Sequence, residues 1–438
     1  MMSAWRSVLI ALVLFGPAAW PARAETVAHL LSVDGAIGPA IADYVLRGIE
    51  NAERDGARLV VLRLDTPGGL DAAMRDIIRG ILHAPIPVVT WVAPSGARAA
   101  SAGTYILYAS HAAVMAPATN LGAATPVSLG GGGAEGKDSP PSAMERKAVN
   151  DAVAYIRGLA EMRGRNADWA ERAVREAVSL TASDALRMGV IDAVARDIDA
   201  VLAAVHGMEV SIGGRKVTIN SEGARVERIE PDWRTRFLAT ITDPNVAYLL
   251  LMIGLYGVIF ELANPGAVFP GVIGGIALLV GLFALNLLPI DYAGVGLVLL
   301  GIGLMVGEAF MPSFGILGLG GAIAFAFGSV MMFDRGVPGF QVSSVVVGLA
   351  TLSALGLFAL VLSMLVRSRR RPVVSGREAM LGSVGHVTEW AEGHGAVRVH
   401  GERWRAHSSA VLSPGQRVRV AALRGLELDV EPAEEEKP

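Results

Sequence analysis

The sequence predicts a multi-domain membrane protein with three folded parts: an exported α/β domain, an α-helical transmembrane region of about five helices, and a C-terminal all-β barrel. Three observations predict this fold class. Short β-rich runs alternate with helical runs over residues 26–212, five apolar segments follow within 244–366, and short β-rich runs separated by glycine turns fill 376–432. Hydrophobic residues make up 52% of the 438 residues and charged residues only 18%, which is more apolar than a soluble protein.

In the exported domain, predicted strands alternate with predicted helices, a pattern typical of an α/β fold with a largely parallel sheet. The predicted strands are Val27–Val33, Leu59–Leu64, Val88–Trp91, Ala113–Met115 and Ile191–Val194. The predicted helices are Ile37–Asp55, Leu70–Ala84, Ala100–Ser110, Ala143–Arg163 and Ser183–Val190. Residues 128–142 form a glycine-rich loop. We expect a functional site where the strands end.

Residues 1–24 have the pattern of an export signal. Arg6 precedes a short apolar core, Val8–Phe15, and Ala22-Arg23-Ala24 supplies small residues before a cleavage point. An uncleaved anchor helix is the alternative. Both alternatives export the α/β domain, which we place at residues 25–230.

The five apolar segments are centred near residues 253, 280, 303, 323 and 354, and each approaches the roughly 20 residues needed to cross a bilayer. Five crossings from an exported domain place the C-terminus in the cytoplasm. The last segment is followed by the basic residues Arg367, Arg369, Arg370 and Arg371, as the positive-inside rule requires there. We therefore expect a multi-pass protein of a bacterial-type inner membrane, with the α/β domain extracytoplasmic and the barrel cytoplasmic.

A weak repeat with an offset of 47 residues relates the first two apolar segments to the next two. It matches Glu261 with Glu308, Pro265 with Pro312, Gly271 with Gly318 and Gly274 with Gly321. A duplicated hairpin and chance matches in Gly- and Pro-rich sequence both explain it. The two glutamates could mark a polar pathway through the membrane, but the adjacent prolines favour a solvated position at the interface.

Residues 376–432 are predicted to form the barrel. Its candidate strands are Gly382–Thr388, Ala396–Val399, Arg403–Ala406, Arg417–Leu423 and Leu426–Val430. Five short strands in so few residues suggest a barrel of the OB type. Such barrels often bind nucleic acid through aromatic side chains in a basic groove, but only Trp390 and Trp404 are available and the arginines alternate with acidic residues. We expect protein–protein contact instead, and a solvated tail at 433–438.

Composition excludes several kinds of site. The chain has no cysteine, which excludes disulfides, thiolate zinc sites and a cysteine nucleophile. Its net charge of −3 gives no indication of a nucleic-acid partner. We expect no cofactor and no bound metal ion.

Two short segments of the exported domain carry residue types that acyl transfer needs. Asp65-Thr66-Pro67-Gly68-Gly69 ends an apolar strand, and Ala99-Ala100-Ser101-Ala102-Gly103 places one hydroxyl among residues too small to shield it. Ser101 is therefore the first candidate for a nucleophile. Ser95 and Ser110 lack such neighbours. A small-residue helix start packed against the sheet is the structural alternative.

Three backbone amides are candidates for an oxyanion hole. Gly68 and Gly69 can present bare N–H groups after the strand, and the N–H of Ala102 follows the candidate nucleophile. A Pro-Gly-Gly turn is common in loops, so the assignment depends on its position after a buried strand.

The base that would activate Ser101 is harder to assign. The exported domain contains four histidines, His29, His83, His111 and His206, and three lysines, Lys137, Lys147 and Lys216. His111 ends the helix that Ser101 begins and would point away from the site. Lys137 lies in the glycine loop and Lys216 in a β-like segment near the membrane, whereas Lys147 lies on a predicted helix. A buried lysine with a lowered pKa could accept the proton, although a solvated helix lysine is the more common case.

These segments resemble the long form of the NfeD family, membrane-bound serine proteases with a ClpP/crotonase-type domain, also called stomatin-operon partner proteins. The resemblance rests on Asp65–Gly69, Ala97–Tyr105, Lys147–Asn150 and Thr181–Asp192, and it spans nearly the whole chain. It implies a ClpP/crotonase-like fold, an NfeD-type OB domain and a Ser101–Lys147 dyad. It also implies an oxyanion hole formed by Gly68 or Gly69 together with Ala102.

The resemblance further implies a membrane-bound serine endopeptidase that cuts apolar segments of membrane-associated proteins, with stomatin- or flotillin-like proteins as substrates or partners. It implies a homodimer or higher homo-oligomer. A non-enzymatic membrane scaffold for such partners is the alternative. A crotonase-like acyl-CoA enzyme would share the oxyanion geometry, but CoA is not expected outside the cytoplasm.

Overall fold

The computed structural model describes residues 26–126, 142–263, 265–311, 313, 315–333, 339–369 and 377–433. The predicted export signal, most of the loop at 128–142 and the last five residues lie outside them. The chain divides into two compact units, residues 1–356 and 357–438.

The N-terminal part of the first unit is an α/β domain. Its strands are β1 Val27–Asp34, β2 Leu59–Asp65, β3 Val88–Val92, β4 Arg98–Ala100, β5 Ala112–Met115, β6 Asn120–Gly122, β7 Ser179–Thr181, β8 Ala193–Val194, β9 Glu209–Ile212, β10 Arg215–Thr218 and β11 Arg225–Ile229. Its helices are α1 Pro39–Arg54, α2 Asp71–His83, α3 Ala102–Ala109, α4 Ala143–Arg163, α5 Ala167–Arg175, α6 Ala182–Arg187, α7 Ile198–Val205 and α8 Trp233–Ile241.

The central sheet has six strands in the order β11-β1-β2-β3-β5-β8, and every neighbouring pair is parallel. Strand β2 has apolar residues on both faces because both faces are covered: Val60 and Leu62 belong to one core cluster, and Leu59 and Val61 to the other. The predicted α/β fold with a largely parallel sheet is confirmed.

Several short elements were not predicted. Strands β4, β6 and β7 form a separate three-stranded sheet in the order β4-β6-β7, and β9 pairs with β10 in a hairpin. Strands of three or four residues are too short to display a two-residue hydrophobic period, so their sequence gives no strand signal. The small sheet matters because β4 ends directly before Ser101.

Five helices follow in the membrane region: α9 Pro244–Ala263, α10 Phe269–Leu287, α11 Tyr292–Phe310, α12 Ile316–Phe333 and α13 Ser344–Arg369. Among the described residues, α9, α10 and α12 are long and apolar enough to cross a bilayer. The apolar parts of α11 and α13, Tyr292–Glu308 and Ser344–Leu360, are shorter.

The 47-residue repeat corresponds to two helical hairpins with the same contacts. In the hairpin of α9 and α10, a Cβ atom on Gly274 would lie 2.9 Å from the carbonyl oxygen of Gly254. In the hairpin of α11 and α12, a Cβ atom on Gly321 would lie 2.6 Å from the carbonyl oxygen of Gly301. Because only glycine permits this backbone approach, the equivalent contacts support the duplicated hairpin over chance matches.

Glu308 corrects one sequence-based expectation. Its residue is only 2% exposed, so the solvated position that we favoured is wrong for Glu308. Its carboxylate accepts hydrogen bonds from the backbone N–H groups of Ser313, Gly315, Leu317 and Gly318 at 2.7–3.3 Å. A carboxylate at the N-terminal end of α12 satisfies free helix amides, so Glu308 is a buried helix cap.

The second unit contains a short helix, α14 Arg377–Met380, and a closed five-stranded barrel. Its strands are β12 Val384–Ala391, β13 His394–Val399, β14 Glu402–His407, β15 Arg417–Arg424 and β16 Glu427–Pro432. They close in the order β12-β13-β14-β16-β15. The predicted small barrel is confirmed, with strand bounds that differ from the prediction by up to three residues.

Candidate active site

The turn after β2 is shaped by its own side chains. Thr66 Oγ1 accepts a hydrogen bond from the N–H of Gly68 at 3.1 Å and lies 3.0 Å from the Gly68 carbonyl oxygen, to which it donates. Asp65 Oδ1 accepts from the N–H of Arg98 at 3.0 Å, which ties the turn to β4. Two short side chains thus hold the turn beside the strand that leads to Ser101.

The two glycines of this turn meet different neighbours. Gly68 has φ +118°, and a Cβ atom there would lie 2.8 Å from Ser101 Cβ and 3.2 Å from Ser101 Oγ. Gly69 pairs with the backbone of Ile37, and a Cβ atom on Gly69 would lie 2.2 Å from the Ile37 carbonyl oxygen. Gly68 is therefore the residue in contact with the candidate nucleophile. Gly69 must be glycine because it lies against the Ile37 backbone.

Ser101 occupies the sharp turn between β4 and α3. Its φ of 51° and ψ of −116° are unusual for a residue with a side chain, and such backbone strain costs about 1–3 kcal/mol. Two hydrogen bonds hold the conformation: Ser101 N–H donates to the Gly122 carbonyl at 3.0 Å, and Thr104 N–H donates to the Ser101 carbonyl at 2.9 Å. A strained strand-to-helix turn is a common way to expose a nucleophilic serine.

Helix α3, which follows Ser101, is anchored at both ends. Near its start, a Cβ atom on Gly103 would lie 2.6 Å from Thr66 Cγ2, so only glycine lets the helix pack on the β2 turn. At its other end, the buried Arg165 donates to the carbonyls of Tyr108 and Ser110 and to the carboxylate of Asp192. The orientation of α3, and with it the position of Ser101, is fixed by these contacts.

The three predicted amide donors are not equivalent. The Gly68 N–H is already bonded to Thr66 Oγ1. Within the described residues, neither the Gly69 N–H nor the Ala102 N–H has an acceptor in the protein. Both residues line the same cleft as Ser101, so these two amides are free to bind a negatively charged oxygen there.

Lys147 lies apart from this cluster. It is on the first turns of α4, which a capping box of Ser142 and Glu145 begins, and its side chain is exposed to solvent. Four residues further along α4, Asp151 binds Arg75 of α2 at 2.8 Å. Residues four apart share a helix face, so Lys147 is on the face of α4 that is directed toward α2. The structure therefore brings Ser101, Gly68, Gly69 and Ala102 together and leaves Lys147 exposed on α4, outside the lining of the cleft.

A cleft of about 390 Å³ opens beside Ser101. Its walls are mostly apolar and come from α2, α3, α4 and the end of α10. They include Leu70, Met74, Tyr105, Ala152, Leu287, Leu288 and Pro289. Burial raises the pKa of Tyr105, whose hydroxyl donates to the Ala124 carbonyl at 3.2 Å, so the Tyr105 side chain stays uncharged.

The rival residues have structural roles. His111 is buried, and its Nδ1 accepts from the Val88 N–H at 3.1 Å. Burial, with Arg163 and Arg165 nearby, lowers the pKa of His111 to about 3. The imidazole is therefore neutral, and its hydrogen bond lies within the core. Ser110 is fully buried and donates to the Ile106 carbonyl at 2.8 Å.

The remaining candidates lie at the surface or outside the described part of the chain. Ser95 is exposed. Lys216 is on the β10 hairpin strand and pairs with Glu209 at 3.2 Å. Lys137 lies outside the described residues.

Comparisons with known proteins identify the family. Residues 27–213 match the N-terminal domain of NfeD1b, residues 245–364 the NfeD integral membrane domain, and residues 377–432 the NfeD-like C-terminal, partner-binding domain. The chain is 34% identical over 435 residues to the membrane-bound protease PH1510 of Pyrococcus horikoshii, covering 97% of this chain and 98% of that protein. The chain belongs to the NfeD family. The family that the resemblance implied is thereby confirmed.

Other relatives are similar over part of the chain. The Bacillus subtilis membrane protein NfeD1b is 30% identical over 70% of this chain and 67% of its own length. Two solved structures of the 1510-N membrane-bound stomatin-specific protease are each 38% identical. A serine-to-alanine mutant covers 48% of this chain and 100% of its own, with a TM-score of 0.45. A lysine-to-alanine mutant with a substrate peptide covers 50% and 99%, with a TM-score of 0.46.

Sequence reasoning missed three parts of the site. The hydroxyl of Thr66 shapes the glycine turn, and a threonine two residues before a glycine was a detectable signal for such a turn. Arg75 of α2 pairs with Asp71 on the same helix and with Asp151 of α4. The sequence could not predict this link because it does not show that the two helices are neighbours. The end of α10, Leu287–Pro289, lines the cleft although it lies nearly 200 residues from Ser101 in the sequence, and no local sequence pattern indicates this contact.

Proposed function

We propose that the protein is a membrane-bound serine endopeptidase in which Ser101 is the nucleophile and Lys147 the general base. The observation that carries the proposal is the geometry at Ser101: a strained turn next to a glycine pair, with two unbonded amides lining the same cleft. Residues held in strained backbone conformations cluster at active sites, so the conformation of Ser101 supports a chemical role.

In the proposed reaction, Ser101 Oγ attacks the carbonyl carbon of the scissile peptide bond and its proton passes to the uncharged amine of Lys147. The amides of Gly69 and Ala102 bind the oxyanion. The C–N bond then breaks as Lys147 returns the proton to the leaving amine. Water, activated by the same amine, hydrolyses the acyl-enzyme and restores the Ser101 hydroxyl.

The exposure of Lys147 sets a condition on this reaction. A lysine that takes the serine proton must be uncharged, and removal from water favours the uncharged amine. The active form must therefore cover the first turns of α4, either with the bound substrate or with another copy of the chain. The homo-oligomer that the family resemblance implies would supply such a cover.

The membrane arrangement is proposed from the same structure. Five crossings by α9 to α13 would place the loops after α10 and after α12 on the side of the protease domain. Contacts support this: Leu288 lines the cleft of Ser101, and a Cβ atom on Gly38 of the protease domain would lie 2.9 Å from the ring of Phe340. We accordingly propose a multi-pass inner-membrane protein with the protease domain outside and the barrel in the cytoplasm.

A stomatin- or flotillin-like membrane protein is the proposed partner or substrate. The match of residues 377–432 to a partner-binding domain supports a protein partner for the barrel. The mostly apolar walls of the cleft favour apolar substrate segments.

A fluorophosphonate probe tests the nucleophile on the full-length protein in lipid nanodiscs. Ser101 Oγ should displace fluoride and form a stable Oγ–P bond, and the label should map to the peptide that contains Ser101. Ser101→Ala should abolish labelling and peptide cleavage, whereas Ser95→Ala, which removes an exposed serine of the same domain, should retain both. An unlabelled wild-type protein would support the non-enzymatic scaffold instead.

A further inference from the structure

One wall of the Ser101 cleft belongs to the membrane region. Leu287, Leu288 and Pro289 form the end of α10 and the start of the connection to α11, and all three line the cleft. Leu288 is only 6% exposed. A segment that follows a membrane helix thus takes part in a site that otherwise consists of protease-domain residues.

This wall is held in place by its own hydrogen bonds. The N–H of Asp291 donates to the Met332 carbonyl at 2.9 Å, which ties the connection to the end of α12. The Asp291 side chain accepts from the N–H of Ala293 at 2.8 Å and so caps α11. A bulky residue that entered the cleft would therefore meet a fixed surface.

The protease domain is attached to the membrane region at further points. A Cβ atom on Gly38, directly before α1, would lie 2.9 Å from the ring of Phe340, which follows α12. A Cβ atom on Gly339 would lie 2.7 Å from Ala36 Cβ. These contacts place the protease domain against the connections between the membrane helices, and its cleft lies beside the C-terminal end of α10.

We propose that Leu287–Pro289 is a substrate-binding element that admits an uncharged, apolar residue of a peptide segment at the membrane surface. The inference rests on the proposed function and adds to it the residues that select the substrate. Leu70, Met74 and Leu288 offer no hydrogen-bonding side chain to the cleft, and its two charged lining residues, Asp71 and Arg75, already form an ion pair with each other at 2.8 Å. A substrate residue with a charged side chain would lose its hydration there without gaining a partner.

The absence of cysteine from the sequence allows a direct test, because each introduced cysteine is the sole thiol. Full-length Leu287→Cys protein in nanodiscs is treated with a maleimide before and after Ser101 has reacted with a fluorophosphonate that carries an apolar tripeptide. Occupancy of the cleft should slow maleimide labelling about tenfold or more. In the control Tyr292→Cys, at an exposed position of α11 outside the cleft, the labelling rate should not change.

A second measurement addresses selectivity. Leu288→Ala enlarges the cleft and should shift cleavage within a series of membrane-anchored peptides from a leucine toward a phenylalanine at the affected position, by about fivefold or more. Labelling of this variant with a small fluorophosphonate reports separately whether Ser101 is still reactive. Normal labelling without protection at position 287 and without a shift in preference would overturn this inference and leave the proposed function intact. Failure of the wild-type protein to label would overturn both.

Discussion

The two sides of the candidate site are built in different ways. On the serine side, Asp65, Thr66, Gly68 and Gly69 each have a contact that fixes the turn, and Ser101 is held in a strained conformation between β4 and α3. On the lysine side, Lys147 is an exposed side chain near the start of α4. In the proposed mechanism, one chain supplies the whole serine side, whereas the lysine side needs a bound substrate or a second copy of the chain to cover Lys147.

After loss of the nucleophile itself, the largest effect should come from the lysine side. Lys147→Ala should lower kcat by about 10²–10⁴-fold, the usual contribution of a general base. Folding should be unaffected because the side chain is exposed. Activity is measured with an apolar peptide and the full-length protein, and unfolding by thermal denaturation.

The chain offers a matched control for this prediction. Lys216 is also an exposed lysine of the exported domain, but it pairs with Glu209 on a surface hairpin. Lys216→Ala should retain wild-type kcat. Equal activity in the wild type and both variants would remove Lys147 from the mechanism while leaving Ser101 as the nucleophile.

A smaller loss is expected from Gly68→Ala on the serine side. The added Cβ would lie 2.8 Å from Ser101 Cβ, so the serine or the turn must move. A displacement of about 1 Å at the reacting atoms can cost about 10²-fold in rate. Gly96→Ala provides the control, since Gly96 also has a positive φ, +91°, but a Cβ there meets nothing within 4 Å. Both variants should lose some stability, but only Gly68→Ala should lose substantial kcat.

How well each part of the site can be predicted depends on whether local sequence or long-range packing forms it. The serine side depends on neighbours in sequence: glycines where the backbone needs positive φ or close approach, and small residues around a hydroxyl. These rules are local, so the sequence could indicate Ser101, Gly68, Gly69 and Ala102 as candidates. The cleft wall at Leu287–Pro289 was not predicted, because it joins the site only through the packing of α10 against the protease domain.

The same distinction applies to the fold. Strand β2 was predicted because burial on both faces gives a continuous apolar run. Strands β4, β6 and β7 were missed because strands of three residues are too short to show a two-residue hydrophobic alternation. These strands nevertheless form the sheet that supports Ser101. Glu308 was wrongly expected to be solvated. Its partners are backbone amides, and the sequence does not show which amides a carboxylate will contact.

A modest effect should come from Thr66→Val, which keeps the side-chain shape but removes the hydroxyl. The Gly68 N–H would then be left without its acceptor in a buried turn, at a cost of about 1–3 kcal/mol in unfolding free energy. We expect kcat to fall as well, because the turn next to Ser101 would relax. Thr66→Ser retains the hydroxyl and should restore most of both quantities. Wild-type stability in the valine variant would mean that this hydrogen bond does not fix the turn.

The smallest effect concerns His111, which lies beyond the far end of α3 and should influence stability alone. Its pKa is about 3 in the folded protein, below the value near 6.5 expected after unfolding. The unfolded chain therefore binds an extra proton as pH falls from about 6.5 toward 3, and folding weakens over that range, by about 2 kcal/mol at pH 5. His111→Asn can still accept the Val88 N–H but does not titrate. The apparent Tm of the wild-type protein should fall faster with acidification than that of the variant, while the two should respond alike above pH 7. Parallel pH profiles throughout would show that His111 is not held neutral, and that the far end of α3 is less rigidly packed than the end that carries Ser101.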